Sequence, residues 1–371
     1  MNRALRMASF ATGGLAAAAL AAGAATCLTS GCSTIGYYAQ AATGHLNIVN
    51  AARPVADWLA DPATPATLKQ RLELSQRIRD FAVSELGEPD NASYRRYADL
   101  GRPAAVWNVV AAPELSLTLK TWCFVVVGCV GYRGYYSEAG AAAEAAGLRA
   151  AGYEALVYPV PAYSTLGRLP GDWLADPLLS TFVHYPEADL ARLVFHELAH
   201  QIVYVPGDTA FNESFATAVE RIGSARWLAS HANASTRAEQ ARAQARRADF
   251  RALTLRYRGE LQALYASSAS DAEKRQGKAA LFAAMRAEHE AIKAARWGGY
   301  AGYDGWFARA NNAALGVLAA YNDLVPQFEQ LFRREGGDFP RFYAEVKRLA
   351  ALPAAERRAH LAATAASSPP P

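Results

Sequence analysis

Apolar residues recur along most of this chain at helical intervals, and one stretch breaks the pattern. Leu68, Leu72, Ile78, Phe81 and Leu86 fall on one face of a helix, so the period predicts helix over 51–98, interrupted at Pro62-Ala-Thr-Pro65. Between 104 and 165, β-branched and aromatic residues cluster between glycines and prolines. Val106–Val110, Leu115–Val130 and Tyr153–Val160 read as strands, with an alanine-rich helix over 137–151 among them. Phe182-Val-His-Tyr185 reads as a further short strand. Beyond Pro186 each segment is helical in period: 187–204, 209–230, a long hairpin of 235–266 and 270–296, then 308–333 and 338–350. Strands followed by helices predict an α+β fold with a small, mostly antiparallel sheet, and the helix after Pro186 leads into a largely helical C-terminal part.

Hydrophobic residues make up 52% and charged residues 19%, which excludes a disordered chain. The net charge is +4, with no basic stripe carrying interleaved aromatics, so no nucleic-acid partner is expected. Arg3 and Arg6 precede an uncharged run from Met7 to Leu28, the pattern of an export leader, although the run is also long enough to span a bilayer as an uncleaved anchor. It ends in Leu28-Thr-Ser-Gly-Cys32. Small residues before a cysteine resemble the lipobox of bacterial lipoproteins, with the leucine one place further from the cysteine than usual. That resemblance implies a signal peptide over 1–31 and a lipid on Cys32. With Ser33 following and no aspartate retention signal, it also implies sorting to the outer membrane, facing the periplasm. Residues 32–50 then read as a tether, and 361–371, small and proline-rich at the end, as a disordered tail. Cys123 and Cys129 lie in a compartment that permits a disulfide. An extended strand would hold them roughly 20 Å apart, and Gly128 could allow the bend that a bridge requires. A disulfide and two buried free thiols both remain open.

The chemistry is carried by Leu193-Val-Phe-His196-Glu197-Leu-Ala-His200-Gln-Ile. Histidines four apart on a helix share one face, so both rings can reach one metal ion, and Glu197 stands at the edge to take a proton from an attacking water. The short pattern also occurs in helices with two half-buried histidines and a surface glutamate. What separates the cases here is the apolar flank and the segment Phe211-Asn-Glu213-Ser-Phe-Ala216, which resembles the Asn-Glu-x-x-Ala motif of gluzincin metallopeptidases. The resemblance implies Glu213 as third ligand, with Glu220, on the same helical face, as reserve. Val205-Pro-Gly-Asp208 would turn the chain, and Asp208 or Thr209 would cap the next helix. His196, His200 and Glu213 make a normal set for one catalytic Zn2+, with a fourth position left for water.

Several further segments extend the likeness: Gly31-Cys32-Ser-Thr-Ile-Gly-Tyr-Tyr, Gly131-Tyr-Arg-Gly-Tyr-Tyr136, Pro161-Ala-Tyr-Ser-Thr-Leu166 and Asn311-Asn-Ala313. Together with the two motifs above they resemble the predicted aminopeptidase family of proteobacterial lipoproteins, over nearly the whole mature chain. The resemblance implies a zincin-like metallopeptidase domain over 51–360, strand-rich over 104–185 and helical over 187–360, hydrolysing peptides. The Gly-x-Met-Glu-Asn segment with which M1-type aminopeptidases hold a free amine is absent, so the amine preference rests on the family label.

Glu197 is then the general base. Tyr321 is the first candidate to donate to the oxyanion, with Tyr300 and Tyr303 as alternatives, and ordinary packing is the plainer role for each. Tyr132 and Arg133 follow a strong strand and are candidates to line an edge that a peptide joins, Arg133 meeting a substrate carboxylate. Two other readings share the motif: a lipoprotein scaffold that keeps the shape without turnover, and a zinc amidase acting on cell-wall peptides.

Overall fold

The β-branched run from Val106 becomes the central strand of the larger sheet. β3 (Val106–Pro113) pairs antiparallel with β6 (Arg133–Tyr135) on one side and β7 (Tyr153–Val160) on the other. A strand points alternate side chains to opposite faces, and both faces are covered here. Trp107, Val109 and Ala111 pack with Ala141, Ala145 and Leu148 of α4 (Glu138–Ala150). Val110 and Ala112 meet Ala313 of α10 (Asn312–Ala320). Double cover is why β3 reads as a continuous apolar run rather than an alternating one. These relations come from a computed structural model, which describes residues 36–124, 128–167, 171–320 and 324–366.

Two smaller ladders complete the β structure among the described residues. β1 (Arg53–Pro54) pairs antiparallel with β2 (Arg96–Ala98), which pairs in parallel with β8 (Leu178–Leu179). β4 (Trp122–Phe124) and β5 (Gly128–Val130) form an antiparallel pair with Cys123 opposite Cys129, and a disulfide joins them. The long strand expected over 115–130 is thus two short strands on a reversed chain. That reversal brings the two cysteine Cα atoms to 3.9 Å and decides in favour of the bridge. Phe182-Val-His-Tyr185 is a turn, not a strand. Phe182 and Val183 are fully buried, and their amides bond back to the carbonyl of Leu179, so the apolar residues anchor the turn.

The remaining helices are α1 (36–51), α2 (Val55–Ala60), α3 (Ala66–Ser84), α5 (Glu187–Ile202), α6 (Thr209–His231), α7 (Ala234–Ala266), α8 (Asp271–Arg296), α9 (Asp304–Arg309), α11 (Val325–Arg334), α12 (Phe339–Ala350) and α13 (Ala354–Ala366). The chain divides into two units, Met1–Asn47, of which the described part is helical, and Ile48–Pro371. Within the second, α3, α5, α6, α11 and α12 bury the main core, which includes Phe81, Phe195, Phe211, Phe215, Phe328 and Phe342. The α7–α8 hairpin closes a smaller core around Phe250, Tyr257, Leu261, Phe282 and Met285. The single helix expected over 308–333 is broken. Asn312, at the start of α10, donates from Nδ2 to the carbonyls of Pro113 (3.1 Å) and Glu114 (2.7 Å), which pins that helix to the end of β3.

Two terminal expectations change. From residue 36 the supposed tether is helical, and residues 361–366 continue α13 instead of a disordered tail, with Leu361 fully buried. Cys32 and the leader lie outside the described residues. Among the described residues no helix is long and apolar enough to cross a membrane. The fold is α+β, with small, mostly antiparallel sheets and a largely helical C-terminal part.

Gly128 shows how the hairpin meets the rest of the chain. It sits at φ +74°, and a Cβ there would lie 2.6 Å from the Gly207 amide nitrogen and 3.0 Å from the Pro206 carbonyl carbon. Gly128→Ala is expected to destabilise by about 3 kcal/mol, from the left-handed backbone plus the clash. Gly147→Ala, in α4 with nothing within 4 Å, is expected to stabilise slightly. Chemical denaturation of both variants checks the contrast, and equal effects would refute the packing account.

Candidate metal centre

α5 follows Pro186 and carries acids in its first turn, Glu187 and Asp189, where they complement the helix dipole. Its apolar face buries Leu190, Ala191, Val194, Phe195, Leu198 and Ala199 in the main core. The helix stops at Ile202, and Val205-Pro-Gly-Asp208 reverses the chain. Asn212 holds that reversal from both sides: the Val205 amide donates to Asn212 Oδ1, and Asn212 Nδ2 donates to the Val205 carbonyl, each at 2.8 Å. Asp208 caps α6 by accepting from the Phe211 amide at 3.2 Å. Its other oxygen accepts from Arg357 of α13, at 3.1 Å from Nε and 2.7 Å from Nη2. Where α6 approaches α3 and α5 stands Gly223. A Cβ there would come within 2.6 Å of Leu86 Cδ1 and 3.0 Å of Phe195 Cδ2.

The returning helix places Glu213 beside the two histidines. His196 Nε2 lies 3.2 Å from His200 Nε2 and 3.3 Å from Glu213 Oε2, and His200 Nε2 lies 3.8 Å from Glu213 Oε2. A triangle with those sides has a centre about 2.0 Å from each corner, the bond length that nitrogen and oxygen ligands make to a tetrahedral metal ion. The donor set fits as well. Two imidazole nitrogens facing each other at 3.2 Å repel unless a proton or a cation lies between them. Burial lowers the His200 pKa to about 4, so that ring stays neutral. Burial works against charge on Glu213 too, but the neighbouring His200 and His196 outweigh it and keep the carboxyl below its ordinary range. Neutral imidazole and ionised carboxylate are the forms a metal takes up; His200 and Glu213 already have them, and a cation would replace the proton that His196 holds between the two carboxylates. The site is therefore compatible with a metal ion.

Glu220 lies seven residues after Glu213 and does not join the triad. It accepts from His196 Nδ1 at 3.1 Å and is gripped by Arg192. Burial would raise its pKa, yet Arg192 foremost and then His196 bring it down to about 2. Burial also disfavours a charged His196 ring, but the bonds to Glu213 and Glu220 prevail and lift its pKa well above normal. The Glu220 bond fixes the ring so that Nε2 faces the common point. Glu197 is half-buried on the same helix. Burial, and then the charges of Glu213 and Asp176 against that of His196, raise its pKa to about 7.

The other expected residues divide. The phenol of Tyr132 is raised well above its ordinary pKa by burial, then by the charges of Glu213, Tyr204, Tyr158 and Glu197, so it lies within electrostatic range of the centre. Arg133 is paired with Glu144 of α4 at 3.4 Å rather than offered at an open strand edge. Tyr300 and Tyr303 form a ring contact with each other in the turn before α9, and Tyr321 lies outside the described residues. Arg192 escaped the sequence reading. Its signal was its place four residues before His196, on the same helical face. A second group, His289, Glu290 and Asp304, has ligand atoms within 4.8 Å of one another. There the Lys293 ammonium lies 2.7 Å from Glu290 and 2.9 Å from Asp304, so positive charge is already supplied.

Two outcomes are expected. Metal analysis of purified protein should find about one equivalent in wild type and none in His200→Ala, while Glu220→Gln should weaken metal affinity about 10–100-fold. Full affinity in Glu220→Gln would remove that residue from the site. The second outcome concerns Asp176, which is buried and accepts from the Thr165 amide at 3.1 Å. Burial raises its pKa from 3.8 to about 6 against these hydrogen bonds. The folded state therefore holds this proton more tightly than the unfolded chain. The stabilisation is complete below pH 4 and is lost as pH rises through 6, by about 3 kcal/mol in all. Denaturation of wild type against Asp176→Asn across pH 4–7 should show wild type losing ground as pH rises, and parallel curves would contradict it.

The family model described as "Putative aminopeptidase" matches residues 36–361. Neither the comparison with curated proteins nor that with solved structures gave a match. The match covers most of the sequence and includes the His196–His200 helix, the Glu213 helix and the sheet beside them, so the chain belongs to this aminopeptidase family and its function is of the peptidase type.

Proposed function

We propose that this protein is a zinc-dependent peptidase of gluzincin type, with His196, His200 and Glu213 as the ligands of one Zn2+. The observation that carries the reading is the triangle of Nε2, Nε2 and Oε2 atoms with a shared centre at metal–ligand distance, next to a glutamate that follows the first histidine. Two nitrogens and one carboxylate oxygen suit zinc and leave a position open. When bound, the ion supplies Lewis acidity toward water and the scissile carbonyl.

The chain's own residues supply the rest. Glu197 accepts the proton of the attacking water and returns it to the leaving amine. Glu220, charged and held by Arg192, keeps the His196 ring in the tautomer whose Nε2 lone pair faces the metal. The Tyr132 phenol stays protonated and is available to donate to the developing oxyanion. A cavity of about 310 Å3 beside His200, lined by Leu166, Tyr204 and Lys347 among others, supplies room for substrate.

The reading extends to placement: a lipoprotein held at the outer membrane through Cys32, facing the periplasm. The Cys123–Cys129 disulfide supports an oxidising compartment. A preference for free amino termini follows the family description alone.

Glu197→Gln is expected to keep its metal and lose peptide cleavage about 1,000-fold, measured on a peptide library with metal content determined in parallel. Undiminished cleavage would remove Glu197 from its role. The same library with acetylated amino termini tests the amine preference: loss of cleavage supports an aminopeptidase, and indifference to the cap refutes it.

A further inference from the structure

A second concave feature lies at the opposite end of α5 from the metal ligands. A cavity of about 440 Å3 is bounded by the first turn of α5, by Gln240, Arg246 and Arg247 on α7, and by Tyr300 and Tyr303. Ala188, in that turn, is eight residues before His196, roughly 12 Å along the helix, so the cavity is separate from the triad.

Its lining carries hydrogen-bond donors without acceptors. Gln240 is only 6% exposed, and its Nε2 has no partner. Arg247 donates from Nη1 to Asp189 at 3.2 Å, while its buried Nη2 has none. Arg246 stacks its guanidinium 4.2 Å from the Tyr300 ring centre, and no carboxylate pairs with it among the described residues. The N-cap of α5, Pro186, offers no side-chain bond to the first-turn amides, which form the positive end of a 16-residue helix.

The acids nearby do not meet this demand. Glu187 accepts from Trp227 Nε1 at 2.8 Å. Asp189 is shared between Arg247 at 3.2 Å and Arg192 at 4.0 Å, and Arg192 is further committed to Glu220. Glu239 is exposed to solvent. Three acids and three arginines, Arg242 with Arg246 and Arg247, line the cavity, so the demand lies in where the donors are placed and not in net charge. Burial and then the charge of Arg192 lower the pKa of Arg247, and Arg251 is lowered by burial and by Arg221, Arg192 and Arg247.

A buried amide, the free Nη2 of Arg247 and the Arg246 guanidinium call for an oxygen-rich anion, and each charge-assisted bond so formed would be worth more than a neutral one. Helix N-termini bind such groups through the same physics. The volume is that of a small-ligand pocket, and Tyr300 and Tyr303 provide an aromatic wall for an organic body. We propose that this cavity binds a small oxyanion ligand, its carboxylate or phosphate group held by Arg246, Arg247 and Gln240 at the N-terminus of α5.

The test is isothermal titration calorimetry on the full chain, with inorganic phosphate and with succinate at constant ionic strength in chloride. Saturable one-to-one binding of at least one of them is expected. Arg246→Ala and Gln240→Leu should each weaken it about tenfold, with circular dichroism verifying that the variants are folded, and Arg246→Lys should weaken it less than Arg246→Ala. Preference for phosphate would identify a phosphoryl ligand, and preference for succinate a carboxylate. No saturable binding of either anion, or equal binding by wild type and both variants, overturns the proposal. Metal-stripped protein should bind as metal-loaded protein does, so the result is independent of peptidase activity.

Discussion

The antiparallel seating of α6 on α5 is the constraint from which the site follows. A helix brings two residues four apart onto one face without help, but a third group on another helix must be delivered across a gap. Here the delivery depends on the clamp between Asn212 and Val205, on the Asp208 cap, and on the close approach at Gly223. The clamp also accounts for an asparagine directly before Glu213. Its amide is both donor and acceptor, so it can satisfy the two backbone groups of one residue in the turn, where aspartate or leucine could not. Arg357 anchors the cap from α13, and the last helix thereby takes part in fixing the position of a side chain far from it in sequence.

Burial gives this cluster its chemical character. Charged groups taken from water are costly unless paired, and the centre resolves that cost through a relay of opposite charges from Arg192 to Glu220 to His196. The same burial works in opposite directions on neighbouring groups. It keeps His200 neutral and lifts Glu197 toward neutrality, while Glu213 and Glu220 stay ionised because cations or imidazoles lie against them. Glu197 thus reaches a different protonation state from Glu213 and Glu220, sixteen and twenty-three residues further on, through what packs on each.

Much of the site could be read in the chain. The four-residue histidine spacing, Glu197 between them, the apolar flanks and the break at Pro206-Gly207 are local features, and helical geometry turns them directly into placement. Glu213 needed the resemblance as well as the turn. Glu220 carried an ambiguous signal, because its helical face is shared with Glu213 and periodicity alone cannot tell a ligand from the partner that orients a ligand. Arg133 shows a related limit: its place after a strand says nothing of Glu144, which arrives from the following helix.

What the sequence determined by itself is whatever depends on neighbours within about two turns: the helical and strand character of most segments, the histidine pair, the cap at Asp208 and the α+β order. Tertiary structure alone decided the rest. It folded 115–130 back on itself and bridged Cys123 to Cys129, made a turn of Phe182-Val-His-Tyr185, broke 308–333 at Asn312, and extended α13 through a segment that composition had marked as tail. At Asn312 the deciding partners, Pro113 and Glu114, are remote along the chain and leave no local period, whereas Cys129 and Leu179 are near neighbours of Cys123 and Phe182, reached by chain reversals that an apolar period does not encode.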